Sequence, residues 1–134
     1  MILRLKRQHV SLLKEEAVKV HPIEACAILF GELTQKEAVV KRVVVASNTL
    51  QSNVRFEIDP ETFVNAFTEA VKEGLEFVGL FHSHSAPAMP SSIDLKYMKL
   101  WGDVIWLILS STTGSLAAYK MKKGEVREIT IKID

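Results

Sequence analysis

Apolar and polar positions fall into blocks along the chain, and each block has one period. Ile2, Leu3 and Leu5 alternate loosely with Arg4 and Lys6, which predicts a short strand. Val10, Leu13, Ala17 and Val20 recur every three or four residues, so residues 9–20 are expected to form an amphipathic helix. It should stop at His21-Pro22, because the residue before a proline is pushed out of helix geometry. Residues 25–31 are an apolar run expected to be a buried strand. The β-branched stretch 38–46 should pair with it through a turn at 31–36. Residues 47–57 read as a polar loop, with Phe56 and Ile58 as apolar anchors. Asp59-Pro60-Glu61 is a strong helix start, with an acid as N-cap and proline at the first helical position. That helix should bury Phe63, Phe67 and Val71 and end at Gly74. A second buried strand is expected at 76–81, a tight loop at 85–90 and a helix at 91–100. Residues 104–109 are almost all apolar, as in a central strand covered on both faces. Residues 116–121 and 126–133 should close the chain as a hairpin around Lys122-Lys123-Gly124.

The order β-α-β-β-α-β-α-β-β-β predicts an α/β (α+β) fold: a mixed, mostly antiparallel sheet flanked by about three helices. With 134 residues, one domain spanning 1–134 is expected. A composition 48% hydrophobic and 25% charged excludes a disordered or collagen-like chain. With a net charge of +1, nothing points to nucleic acid or an anionic membrane as the main partner. Cys26 is the only cysteine, so an internal disulfide and an all-cysteine metal site are excluded, and a reducing compartment fits. The start, Met-Ile-Leu-Arg-Leu-Lys-Arg, becomes charged too early for a signal peptide. No apolar run approaches the roughly 20 residues needed to cross a bilayer, so a cytoplasmic protein is expected.

One stretch carries chemistry. Gly79-Leu80-Phe81-His82-Ser83-His84 ends an apolar run, and Ser91-Ser92-Ile93-Asp94 opens the next helix. Side chains two apart on a strand point to the same side, so His82 and His84 present their imidazoles together. Asp94 follows a loop with two prolines, short enough to fold the helix start over the strand end. Two nitrogens and one carboxylate oxygen then leave a fourth position open, the pattern of catalytic rather than structural zinc. Iron or another divalent ion would suit the same donors. Each part also has a plainer reading. A histidine pair on a strand can simply respond to pH. Ser91-x-x-Asp94 is also a capping box, and a capping serine keeps hydroxyl capacity for another use. Hydrolysis would further need a general base. Glu24, at the lip of an otherwise apolar strand, is the candidate, although an acid there also serves simply to solvate a strand end.

Two motifs taken together, P-x-E-x-C-x-x-L-x-G at 22–31 and H-S-H…P-S-x-x-D at 82–94, resemble the JAMM (MPN+) zinc metalloproteases, the deubiquitinase-type isopeptidases. The likeness extends to the helix ending at proline, the N…F-x-I-D-P segment from Asn48 to Pro60, and the lead into His82. It implies the cytidine-deaminase-like MPN fold. By the same resemblance His82, His84 and Asp94 match the zinc ligands and Glu24 matches the general acid/base. Ser91 matches the serine that steadies the tetrahedral intermediate. Two departures stand out: Ser85 replaces the usual proline after the second histidine, and the loop to Ser91 is one residue shorter than usual. The chain is minimal and is expected to be a compact prokaryotic or archaeal member.

The resemblance implies a reaction: a metal-activated water cleaves the bond after the Gly-Gly tail of a ubiquitin-like (SAMP-type) or sulfur-carrier-like protein. In an isopeptidase that tail is joined to lysine. No covalent intermediate is needed, so Cys26 is expected to be a buried packing residue. The tail, being extended, is expected to add as a strand to an exposed sheet edge. Two rivals remain at this stage. One is C-terminal trimming of a sulfur-carrier protein. The other is a non-catalytic interaction module that keeps the metal for structure. A nucleic-acid role is a poor fit, since the basic residues at 4–7 and 120–123 read as solvated positions. A homodimer fits a small domain with exposed strand edges.

Overall fold

The computed structural model describes every residue from Met1 to Asp134. The elements are β1 (Ile2–Leu5), α1 (Arg7–Val20), β2 (Cys26–Leu33), β3 (Glu37–Ala46), α2 (Pro60–Lys72), β4 (Glu76–His84), α3 (Ser92–Trp101), β5 (Ile105–Ser110), β6 (Leu116–Lys122) and β7 (Glu125–Ile133). Their order and kinds are those expected. No helix is long and apolar enough to cross a membrane.

The seven strands lie in the order β1-β3-β2-β4-β5-β6-β7, and β1 then pairs with β7, so the sheet closes into a barrel. This corrects the expectation of an open sheet with flanking helices. The closing piece is β1, which pairs in parallel with β3 on one side and β7 on the other. Four residues thus join two distant strands, a pairing that local alternation in Ile2–Leu5 cannot reveal. The β4–β5 pair is also parallel, while β2–β3, β2–β4, β5–β6 and β6–β7 are antiparallel. Closure also removes most of the exposed edge expected from sequence. Part of the edge remains on β3, where β1 covers only Glu37, Ala38 and Val39 and the rest pairs with β2 alone, and part on β7, where residues 125–129 pair with β6 alone.

Alternating side chains build two cores. Leu29, Phe81 and Leu107 pack with Val10, Leu13 and Ala17 of α1. Their neighbours Ile28, Leu80 and Ile108 face the other way, toward Ala70 of α2 and Met98 of α3. This two-sided burial makes the middle of β2 (26–31) and of β4 (77–81) apolar, and nearly all of β5, as expected for residues 104–109. Gly79 permits the close β4–β5 approach, since a methyl there would overlap the carbonyl oxygen of Ile105.

On α2 the expectation of burial fails in part. Asp59 caps the helix by accepting from the Thr62 amide at 3.1 Å, and Pro60 opens it. Phe63 is half-buried, but Phe67 and Val71 are 40% and 53% exposed. The helical spacing identifies the right face, for Phe67 meets Phe30 and Phe77 edge-on or tilted. The buried stripe runs through Phe63, Ala66 and Ala70, however, which leaves Phe67 and Val71 on its flank.

Candidate metal centre

His82 and His84 share the parity of Leu80, so β4 points both toward the α2 and α3 side of the sheet. They lie inside β4 rather than beyond its end. β2 supplies the neighbour. Cys26 stands opposite His82 in the antiparallel ladder, and Ser83 N–H donates to the Ala25 carbonyl at 3.0 Å. Continued by two residues, that register brings Glu24 beside His84. Ser83, between the two histidines, turns to the other side and accepts from the Ala25 amide at 2.8 Å, locking the strands at this level.

α3 brings Asp94. Ser91 is its N-cap, and the expected capping box is present: Ser91 Oγ accepts from Asp94 N–H at 3.1 Å, and Asp94 Oδ2 accepts from Ser91 N–H at 2.9 Å. The same Asp94 oxygen lies 3.1 Å from His82 Nε2 and 3.0 Å from His84 Nε2, and the two nitrogens are 3.0 Å apart. Glu24 Oε2 stands 3.7 Å from His84 Nε2. All four residues are buried.

Burial and mutual contact set the protonation of the group. Burial pushes the Glu24 carboxyl up to about 7, with repulsion from Asp94 adding to it and His84 opposing it. Burial also acts to raise Asp94, but hydrogen bonds from His82 and His84 hold it well below the usual carboxylate range. Burial lowers His82. It acts the same way on His84, where the contacts with Asp94 and the charge of Glu24 prevail and raise the imidazole.

The donors fit a metal ion. Ligand atoms of Glu24, His82 and His84 lie within 4.8 Å of one another, and Asp94 completes a tighter triangle with the histidines. A tetrahedral zinc ion with ligands about 2.0–2.1 Å away separates them by roughly 3.3–3.4 Å, close to the sides of that triangle. Glu24 Oε1 is buried and has no hydrogen-bond partner in the protein. A carboxylate oxygen left so is costly, and a cation or a polarised ligand beside it removes that cost.

Residues 6–128 match the family model of prokaryotic homologs of the JAB domain. The chain belongs to this family. It is 41% identical over 120 residues to a desampylase of Pyrococcus furiosus, covering 89% of this chain and 82% of that protein. It is 27% identical over 122 residues to a desampylase of Haloferax volcanii, covering 90% and 86%. A Desulfitobacterium hafniense protein of known solution structure superposes with a TM-score of 0.89 at 28% identity, covering 100% of this chain and 93% of that one. A Salinibacter ruber protein shares the fold at a TM-score of 0.71 and 23% identity, covering 98% and 92%.

In this JAB-domain chain several residues that carry no signal in the sequence support the site. Tyr119 OH donates to the Ala88 carbonyl at 2.8 Å and pins the shortened loop between His84 and Ser91. Ser111 donates to the His84 carbonyl from its amide at 2.7 Å and from its hydroxyl at 3.0 Å. Phe56, read only as an apolar anchor, stacks on the His82 ring with centroids 4.8 Å apart. No polar pattern signals these roles, because each depends on a partner distant in sequence.

Proposed function

We propose that this single-domain protein is a zinc-dependent isopeptidase. It hydrolyses the bond after the C-terminal Gly-Gly of a ubiquitin-like, SAMP-type protein joined to a lysine side chain. The observation that carries the reading is the convergence of His82, His84 and Asp94 within 3.0–3.1 Å of one another, with the Glu24 carboxylate one step away. The names of the two archaeal relatives, both desampylases, support the substrate class. A net charge of +1 and a single, buried cysteine favour the cytoplasm as its place of action.

His82, His84 and Asp94 would hold the zinc, since two nitrogens and one oxygen leave a position for the reaction. The metal supplies Lewis-acid activation of water and of the scissile carbonyl. Glu24, whose carboxyl is pushed up to about 7, takes the proton of the attacking water and returns it to the departing lysine amine. Ser91 uses its oxygen as an acceptor for the Asp94 amide and keeps its own proton to donate to the developing oxyanion. Phe56 orients His82 by stacking, because His82 Nδ1 has no hydrogen-bond partner in the protein.

The uncovered part of β3 supports the tail-binding half of the reading. Its last residues, Val45 and Ala46, line a groove with Val20, Ile23 and Glu24. An extended tail added there as a strand runs toward Glu24, and glycines at its end pass where side chains would not.

The test is cleavage by the zinc-loaded protein, with products read by intact mass. One probe is a ubiquitin-like protein joined through its terminal glycine to a lysine. The other is the same protein with a C-terminal extension. Scission of the first after the glycine, abolished by a chelator, is expected. Scission of the second alone would replace this reading with carrier trimming.

A further inference from the structure

We propose that Asn48 is a positioning residue that holds Glu24 over the metal centre. The inference rests on the reading of Glu24 as the general base. Asn48 is 5% exposed, although Ser47, Thr49 and Leu50 beside it are all exposed. Its side-chain amide donates to the carbonyls of Glu24 at 3.2 Å, Ser52 at 3.3 Å and Arg55 at 3.0 Å. Its Oδ1 accepts from the amides of Leu50 at 3.1 Å and Glu57 at 3.2 Å. Two N–H groups serve three carbonyls, so one is shared, and the full capacity of the amide is in use.

Glu24 needs such an anchor. It precedes β2 and so lies outside the strand ladder. Its Oε1 has no partner in the protein and its Oε2 comes only within 3.7 Å of His84, so no hydrogen bond holds the carboxylate. Its position therefore follows from its backbone. That backbone is gripped on both sides by one loop: Glu24 N–H donates to the Ser52 carbonyl at 2.9 Å, and its carbonyl accepts from Asn48. The same amide brackets Phe56, through Arg55 on one side and Glu57 on the other, and Phe56 stacks on His82. One buried side chain thus joins the backbone of the base to the ring behind a metal ligand. Aspartate has the shape but not the donors, and serine has neither the reach nor the two N–H groups.

A merely loop-closing asparagine would weaken the fold without regard to Glu24, so the test is a double-mutant cycle. The probe is a ubiquitin-like protein joined through its terminal glycine to a lysine in a fluorescent peptide. The proteins are zinc-loaded wild type, Asn48→Ala, Asn48→Asp, Glu24→Gln and the two double variants. Asn48→Ala is expected to lower kcat about 10- to 100-fold, as a displaced catalytic group does, with zinc retained. KM should move less than about three-fold, since ground-state binding is untouched. In the Glu24→Gln background the same change should alter the residual rate by less than about two-fold, because the group it positions is gone. Asn48→Asp keeps the two acceptor bonds and is read the same way if the alanine variant does not fold. The proposal is overturned if the Asn48 variants keep the wild-type kcat, or if their loss multiplies in full onto Glu24→Gln. A fully active Glu24→Gln enzyme overturns the reading of the base itself. An inactive one beside active Asn48 variants overturns only the role of Asn48.

Discussion

Glu24 Oε2 stops 3.7 Å from His84 Nε2, too far for a hydrogen bond yet near enough for each charge to be felt by the other. Asp94 Oδ2 is 3.0 Å from the same nitrogen. In the proposed reaction the two carboxylates divide the work, one held low in the triangle with the histidines and the other left beside it with a raised pKa. Pairs of acids pushed apart in this way mark separate roles in a reaction.

The shortened loop between His84 and Ser91 depends on Tyr119. Tyr119→Phe removes the donor to the buried Ala88 carbonyl and leaves that oxygen without its partner. The expected cost is about 1–3 kcal/mol in denaturant unfolding. Zinc affinity, measured by competition with a chelator, should fall with it, because His84 and Ser91 sit at the two ends of the loop. An unchanged affinity would show that the loop does not need this anchor.

Gly79 and Gly74 make a contrasting pair. A methyl on Gly79 would meet the Ile105 carbonyl within the β4–β5 pairing, and neither strand has room to move. Gly79→Ala should cost about 3 kcal/mol or more. Gly74 has a φ of +76° but open space around it, so Gly74→Ala should cost only about 1–2 kcal/mol, that of the left-handed backbone. Equal losses in the unfolding midpoint would contradict this account of the strand packing.

Cys26 is 1% exposed, its thiol donates to the Ala46 carbonyl at 3.3 Å, and burial together with the Glu24 charge pushes its pKa up to about 12. The folded protein should resist iodoacetamide at neutral pH and react only when unfolded. Cys26→Ala should retain turnover, since the proposed reaction forms no bond to sulfur. Rapid alkylation of the native protein, with loss of activity, would argue for a nucleophilic role instead.

His9 gives the fold a pH dependence of its own. It is buried in α1, its Nδ1 has no partner, and burial, with Lys6 adding to it, lowers its pKa below the ordinary 6.5. The unfolded chain therefore binds the proton more readily. Stability from this site is complete above about pH 6.5 and is lost as the pH falls from there toward the lowered folded value. His9→Gln should flatten that part of the stability curve. An unaltered slope would assign the loss to other groups.

How much of this the sequence discloses depends on the range of each interaction. The histidine pair and the Ser91–Asp94 box are local patterns, set by strand period and helix capping, and both are legible. Glu24 is legible only as an acid at a strand lip; its place beside His84 follows from the β2–β4 register. Barrel closure is hidden because four residues of β1 give no sign of pairing with both β3 and β7. The exposure of Phe67 and Val71 is hidden because the bulky residues mark a stripe one position off the small residues, Ala66 and Ala70, that face the core. Asn48 is legible as the first residue of the N…F-x-I-D-P segment, but its role is not until its five partners are assembled.

The central claim is that Asp94 binds the metal and Glu24 does not. Its most direct test is the zinc content of purified Asp94→Asn and Glu24→Gln proteins, read beside their turnover. The account predicts that Glu24→Gln retains zinc and loses about 10²- to 10⁴-fold in rate, as loss of a general base does, while Asp94→Asn loses zinc as well as activity. Zinc lost from Glu24→Gln and kept by Asp94→Asn would contradict it, and would make Glu24, His82 and His84 the metal site.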